Sequence, residues 1–212
     1  GYLRKALIDA GIPQVPILSL NASGMEKQPG FSLNRSFLHR MIQAVVYGDA
    51  LQQCILATRP YEKEVGSTEA LAKYWIDRIT KTIATDGLRQ YNKNIKALVK
   101  DFDDLPVTGE KKPRVGVVGE IYNHIYELIE KEGGEVVTSG LLDFFLYCAM
   151  DSTYRAKHLD GTWLSGFAGS LAREALELYR LPYAQAVKKS KRFDHVERMT
   201  DVAKVASNYI DL

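Results

Sequence analysis

Two short β-branched runs with a helix between them constrain this chain more than any other feature. Arg114-Val115-Gly116-Val117-Val118-Gly119 reads as a strand leaving into a loop at glycine. Asn123 to Lys131 reads as a helix ended by Gly133-Gly134, and Glu135-Val136-Val137-Thr138 as a second strand. A strand, a helix and a strand at this spacing predict a parallel pair joined by a crossover. Ile12–Leu20, apolar and interrupted by Pro13 and Pro16, predicts a further strand near an edge or bend. Together they predict an α/β fold: a layered, mostly parallel sheet of flavodoxin or Rossmann type, with a largely helical second half.

Helical periodicity fills much of the rest. From about Asn34 the apolar face runs Phe37, Met41, Val45, Leu51 and Ile55, with Ser32 or Asn34 as cap. Gly48 weakens that helix by about 1 kcal/mol relative to alanine. Pro60 breaks it, because proline restricts the residue before it. Ser67 opens the next stretch, with Leu71, Trp75, Ile79 and Ile83, then Leu88, Tyr91, Ile95, Leu98 and Phe102, on one kinked helix or two. Further helices are expected at 167–180, 183–189 and 194–208, the last opened by a capping box of Asp194 and Glu197. The charged, proline-bearing stretch 103–113 is the best internal boundary. It either separates a first α/β segment with long helices, 1–102, from a βαβ unit followed by helices, 114–212, or is a connecting loop over the surface of one compact domain. Gly1–Gly11 resembles the last turns of a helix and the chain stops in another, so a piece of a longer protein is expected.

Composition excludes several functions. With 28 Lys and Arg against 26 Asp and Glu, the net charge of +2 announces no nucleic-acid partner. No apolar run reaches the roughly 18–20 residues that cross a bilayer, so no membrane partner is expected. Cys54 and Cys148 are too few for a disulfide scaffold or a four-thiolate metal site, and a reducing, cytoplasmic setting follows. Both suit a buried core and are weak metal candidates. The four histidines lack the spacing of a helical metal pair, and no serine-hydrolase elbow, dinucleotide fingerprint or phosphate loop occurs.

In open α/β sheets, ligands bind outside the carboxyl ends of the strands. Glu120, Tyr122, Asn123 and His124 lie at one such end, and Ser19, Asn21 and Ser23 at another. These are the candidate ligand-binding residues, with capping of a helix by Asn123 as the plainer reading. Arg59, beside Pro60, has the fork geometry to clamp a phosphate or carboxylate, or to anchor an acidic neighbour. Asp49, within Tyr47-Gly48-Asp49, could pair with Arg59 or with a ligand. No catalytic residue can be named.

Five stretches resemble the carboxy-terminal, dehydratase-like region of the large proteins related to activators of 2-hydroxyacyl-CoA dehydratases. They are Ile12–Asn21, Tyr47-Gly48-Asp49, Thr58–Glu62, Lys112–Ile121 and Gly134–Tyr147, in that order. The resemblance implies a flavodoxin-like module that binds an acyl-CoA, an iron–sulfur cluster or a partner subunit, the last being the rest of a parent chain or a dehydratase subunit. Departures are plain. The family's ligand cysteines are not at recognisable positions, and neither Cys54 nor Cys148 can be carried over. A four-iron, four-sulfur cluster is therefore expected only in a parent protein, with no cofactor in this chain. The ATP-binding module is absent, so the chain alone is expected to be catalytically silent. Only Tyr122 separates Ile121 from Asn123, where the resembling proteins have a longer loop. The other class of function is a non-catalytic interaction or scaffold domain. It predicts scattered polar residues and an exposed apolar patch as the main surface feature.

Overall fold

The computed structural model describes residues 2–15, 34–119 and 123–208. The chain divides into two compact units, Gly1–His39 and Arg40–Leu212. In the first, helix α1 (Tyr2–Asp9) ends at Gly11, whose φ of 74° is the left-handed conformation that closes helices. Ile12 to Val15 is turn, and the rest of the expected strand to Leu20 lies outside the described residues. Asn34 caps helix α2 (Arg35–Thr58): its Oδ1 accepts from the Phe37 N–H at 2.7 Å.

The second unit, entered along α2, is built mainly of helices. After α2 come a short 3-10 turn (Arg59–Tyr61), α3 (Ser67–Thr82) and α4 (Leu88–Asp103). Then follow β1 (Arg114–Val117), α5 (Asn123–Lys131), β2 (Glu135–Thr138), α6 (Leu141–His158), α7 (Trp163–Val187) and α8 (Met199–Ser207). The core centres on α4. Tyr91, Ile95, Leu98 and Phe102 recur at three- and four-residue spacing, which puts them on one face, and all are buried. Against them pack Val46, Ala50 and Cys54 of α2, Trp75 of α3, Leu146 of α6, and Tyr183 and Val187 of α7. Tyr47 meets Tyr91 edge to face, with ring centroids 5.2 Å apart. Burial pushes the Tyr47 hydroxyl up to about 12.

The stretch 67–102 is two helices. Their break holds Asp86, whose carboxylate accepts from Asn94 Nδ2 at 3.0 Å and whose carbonyl accepts from Arg40. Glu62, just after the 3-10 turn, caps α3 across the turn. It accepts from the Gly66 N–H at 2.8 Å, the Thr68 N–H at 2.9 Å and Ser67 Oγ at 3.3 Å. Burial works to raise its carboxyl, but these donors outweigh it and hold the group below its ordinary range. The far end of α4 is closed by Arg192. Its guanidinium donates to the carbonyls of Phe102 (2.6 Å), Asp103 (3.0 Å) and Leu105 (2.8 Å), at and just beyond the end of the helix, where i to i+4 partners run out.

The strand–helix–strand unit forms as the sequence predicts, with β1 parallel to β2 and Arg114, Val115, Gly116 and Val117 opposite Glu135, Val136, Val137 and Thr138. The predicted fold class does not. Among the described residues the sheet has two strands, and three of the four β1 residues are exposed. A layered flavodoxin-like sheet needs several strands covered on both faces. Here the buried surface comes from helical stripes, and the sheet has its own small cluster of Leu56, Tyr126 and Val136. The final helix is also shorter than expected. It begins at Met199, because Asp194 pairs with Arg114 instead of capping, and the Met199 N–H donates to Glu177 Oε1 at 3.1 Å.

Arg192→Ala leaves three carbonyls at the α4 terminus without their charged donor, and should cost about 3 kcal/mol in denaturant unfolding. Arg192→Lys should recover less than half, since one ammonium cannot span the three acceptors. Glu62 has a lowered folded value, so its contribution is present above the ordinary Glu value of about 4.3 and is lost as pH falls through the folded value. In a Glu62→Gln protein the loss of stability on acidification should be shallower in that window.

Candidate functional site

A cavity of about 480 Å3 opens where β2 runs into α6, between α2, the end of α7 and the segment 193–199. Much of its polar lining is engaged within the protein. Asp49, carried by α2, accepts from the Leu141 N–H at 2.9 Å and the Leu142 N–H at 2.8 Å. It therefore caps a helix 92 residues away in sequence and meets the positive end of that helix. Burial pushes the Asp49 carboxyl above its usual range, and the two N–H groups pull it back in part. Gly140 is required at this junction: a Cβ there would run into the Asp49 carboxylate. Gln53 Nε2 donates to the Thr138 carbonyl at 2.6 Å.

Deeper in the wall, Arg180 is buried and holds two acidic side chains. It donates to Asp143 Oδ1 at 2.7 Å, to Glu177 at 2.8 Å, and to the Glu197 carbonyl at 2.9 Å. Arg114 pairs with Glu135 across the strands at 3.1 Å and with Asp194. The segment 193–199 is thus tied down at Asp194, Glu197 and Met199, with Phe193 buried beneath. His195 lines the same cavity. Such mutual pairing is what a polar junction between elements needs to avoid stranded buried groups.

The residues singled out from sequence fall elsewhere. Ser19, Asn21, Ser23, Glu120 and Tyr122 lie outside the described residues, as do the side chains of Asn123 and His124. Arg59 is an anchor: it pairs with Glu69 at 2.6 Å and Glu130 at 3.0 Å, joining the end of α2 to α3 and α5. Among the described residues Asp49 forms no ion pair with Arg59 or another cation and accepts instead from backbone N–H groups. Cys54 is buried and burial pushes its thiol up, which makes it a core residue. Cys148 is free and exposed on α6. Among the described residues no group of three or more His, Cys, Asp or Glu side chains could hold a metal ion. No helix among them is long and apolar enough to cross a membrane.

A different feature stands out on α7. Leu164, Phe167, Leu171 and Leu178 are each 61–69% exposed, and Ala168, Ala172 and Ala175 between them are exposed too. The opposite side of the same helix is the packed one. Gly166 and Gly169 sit so close to α6 that a Cβ would come within 2.5 Å of the Ala156 Cβ or 2.6 Å of the Ala149 carbonyl. On α6, Phe144 and Tyr147 are more than half exposed. Sequence reasoning placed a helix here and missed this face. The signal was present: α7 carries two apolar stripes, and periodicity alone does not say which one faces inward.

Comparison with protein-family models, curated proteins and solved structures finds no match for the chain. The resemblance to the dehydratase activator-related proteins is overturned by the fold, since the flavodoxin-like core it requires is replaced by helices and a two-stranded sheet. The dehydratase-like and iron–sulfur functions fall with it, without a metal-holding cluster among the described residues. Three of the resembling segments have local roles instead. Tyr47-Gly48-Asp49 supplies the α6 cap, Thr58–Glu62 ends α2 and caps α3, and Gly134–Tyr147 contains β2 and the start of α6.

Asp49→Ala removes a two-bond cap and should cost about 1–2 kcal/mol. Gly140→Ala should cost about 1–3 kcal/mol through overpacking in the parent protein. In the Asp49→Ala background the glycine change should cost far less. A double-mutant cycle by urea unfolding would read a coupling above about 0.5 kcal/mol, and additive losses would disprove the contact.

Proposed function

We propose that this chain is a protein-interaction domain of scaffold type, which docks a partner through the exposed apolar face of α7. The observation that carries this reading is the row of Leu164, Phe167, Leu171 and Leu178, side by side on one helix and mostly open to water. Scattered exposed leucines are ordinary on a protein surface, whereas a contiguous apolar row on a rigid helix marks a surface that is covered in use. Asp49, Gln53, Asp143, Arg180, Arg114 and Asp194 of the cavity are held by partners within the protein, which favours a structural role for it. Apolar helix faces bind apolar helical surfaces or grooves through side chains spaced by one turn, and this row has that spacing. The two free cysteines, one of them exposed, support a reducing, cytoplasmic setting.

Photo-crosslinking in the native host cell tests the reading. A benzophenone amino acid at Phe167 should give a defined cross-linked protein product, identified by mass spectrometry. The same group at Lys93, exposed on α4, should not. Equal, diffuse labelling from both positions would reject the α7 face as a docking surface.

A further inference from the structure

Resting on that reading, we propose that the partner is a second copy of this chain, with α7 packed antiparallel against α7 across a two-fold axis. Leu164, Ala168, Leu171, Ala175 and Leu178 follow one another at spacings of four, three, four and three. That is the spacing of a coiled-coil seam, sustained over two heptads. All five residues are exposed, and no charged residue occurs from Trp163 to Ala172. Gly166 and Arg180, both buried, and the half-buried Arg173 repeat at the same seven-residue interval on the side opposite the seam. The helix therefore presents a seam outward and its opposite edge inward.

The seam is self-complementary in one orientation. In a parallel pair each leucine would meet a leucine and each alanine an alanine, giving crowded layers alternating with gaps. Turning one copy end for end sets Ala168 opposite Leu171 of the other and Leu164 opposite Ala175. Two-fold symmetry repeats both layers, so Leu164 and Leu171 of each copy meet an alanine of the other. A shift by one heptad would bring the two Glu174 carboxylates together beside the seam, a like-charge contact the first register avoids. An alanine in each of these layers lets the helix axes approach to about 8 Å, the near end of the usual range. The exposed parts of the seam with Phe167 and Trp163 amount to on the order of 800 Å2 per copy, the share that a standard-size interface buries on each side.

Sedimentation equilibrium on the purified chain at tens of micromolar should give about twice the monomer mass of 23.8 kDa. Leu171→Glu lies on an exposed position, so it should leave the helical circular dichroism intact while halving the mass. The register has its own readout. In a Cys148→Ser background, chains with Leu164→Cys mixed with chains with Ala175→Cys should form a disulfide-linked pair on mild oxidation, and Ala175→Cys alone should not. A monomer at these concentrations, or a dimer indifferent to Leu171→Glu, overturns the self-pairing. If that monomer still cross-links from Phe167 to a different protein in cells, the interaction reading stands and only the identity of the partner is wrong. If neither is seen, both fall.

Discussion

The carboxylate of Asp49 is the joint on which the larger unit turns. It sits on α2, within the helical core, and takes the first two N–H groups of α6, directly after β2. An uncapped helix start carries four N–H groups without partners, and in a partly closed junction water cannot serve them all. One side chain from a distant helix solves this for α6 and at the same time fixes where the strand–helix–strand unit enters the body. The Gln53 amide, one turn along α2, holds the last residue of β2 by its carbonyl. One acceptor and one donor on one face of α2 thus fix the junction between β2 and α6.

From that joint the placement of α7 follows. Once α6 is fixed by its cap and by Leu142 and Leu146 in the core, α7 packs along it through Gly166 and Gly169. Backbones this close leave no freedom to roll, because any rotation would drive a side chain into the neighbouring carbonyls. Tyr91 adds a lock at the other end, donating its hydroxyl proton to the Tyr179 carbonyl at 2.7 Å. Pro182, inside α7, contributes no N–H to the helix ladder, yet it is buried among the residues that meet the core. The rotational setting of α7 is therefore decided by its inward contacts, and the outward stripe is a consequence.

Much of the secondary structure was legible in the sequence, for a local reason. Helices such as α3 and α4 advertise themselves through stripes of Trp75 and Ile79, or Tyr91, Ile95, Leu98 and Phe102, and β1 and β2 through runs of β-branched residues. The architecture was not legible, because it depends on how many strands are present to be covered. One strand–helix–strand unit is compatible with a broad sheet or with a two-stranded appendage to a helical body, and the same four residues of β1 serve either. Asp194 misled in the same way. A capping box is a local pattern, but Arg114 is 80 residues away and offers a stronger partner to that carboxylate.

The candidate site was harder still, since the residues that matter there are apolar ones in the wrong place. Polar residues near strand ends attract attention because their chemistry is visible one residue at a time. An exposed leucine row has no chemistry of its own and becomes meaningful only when the other side of its helix is known to be occupied. In α7 the small residues settle that question. Gly166 and Gly169 mark the side where another backbone comes close, and the larger Leu164, Phe167, Leu171 and Leu178 are left for the opposite side. The inward glycines serve the close approach of α6, and the outward leucines are the feature on which the docking proposal rests. Burial within the domain would have asked for the reverse arrangement, with the large side chains filling the core and the small ones tolerated at the surface.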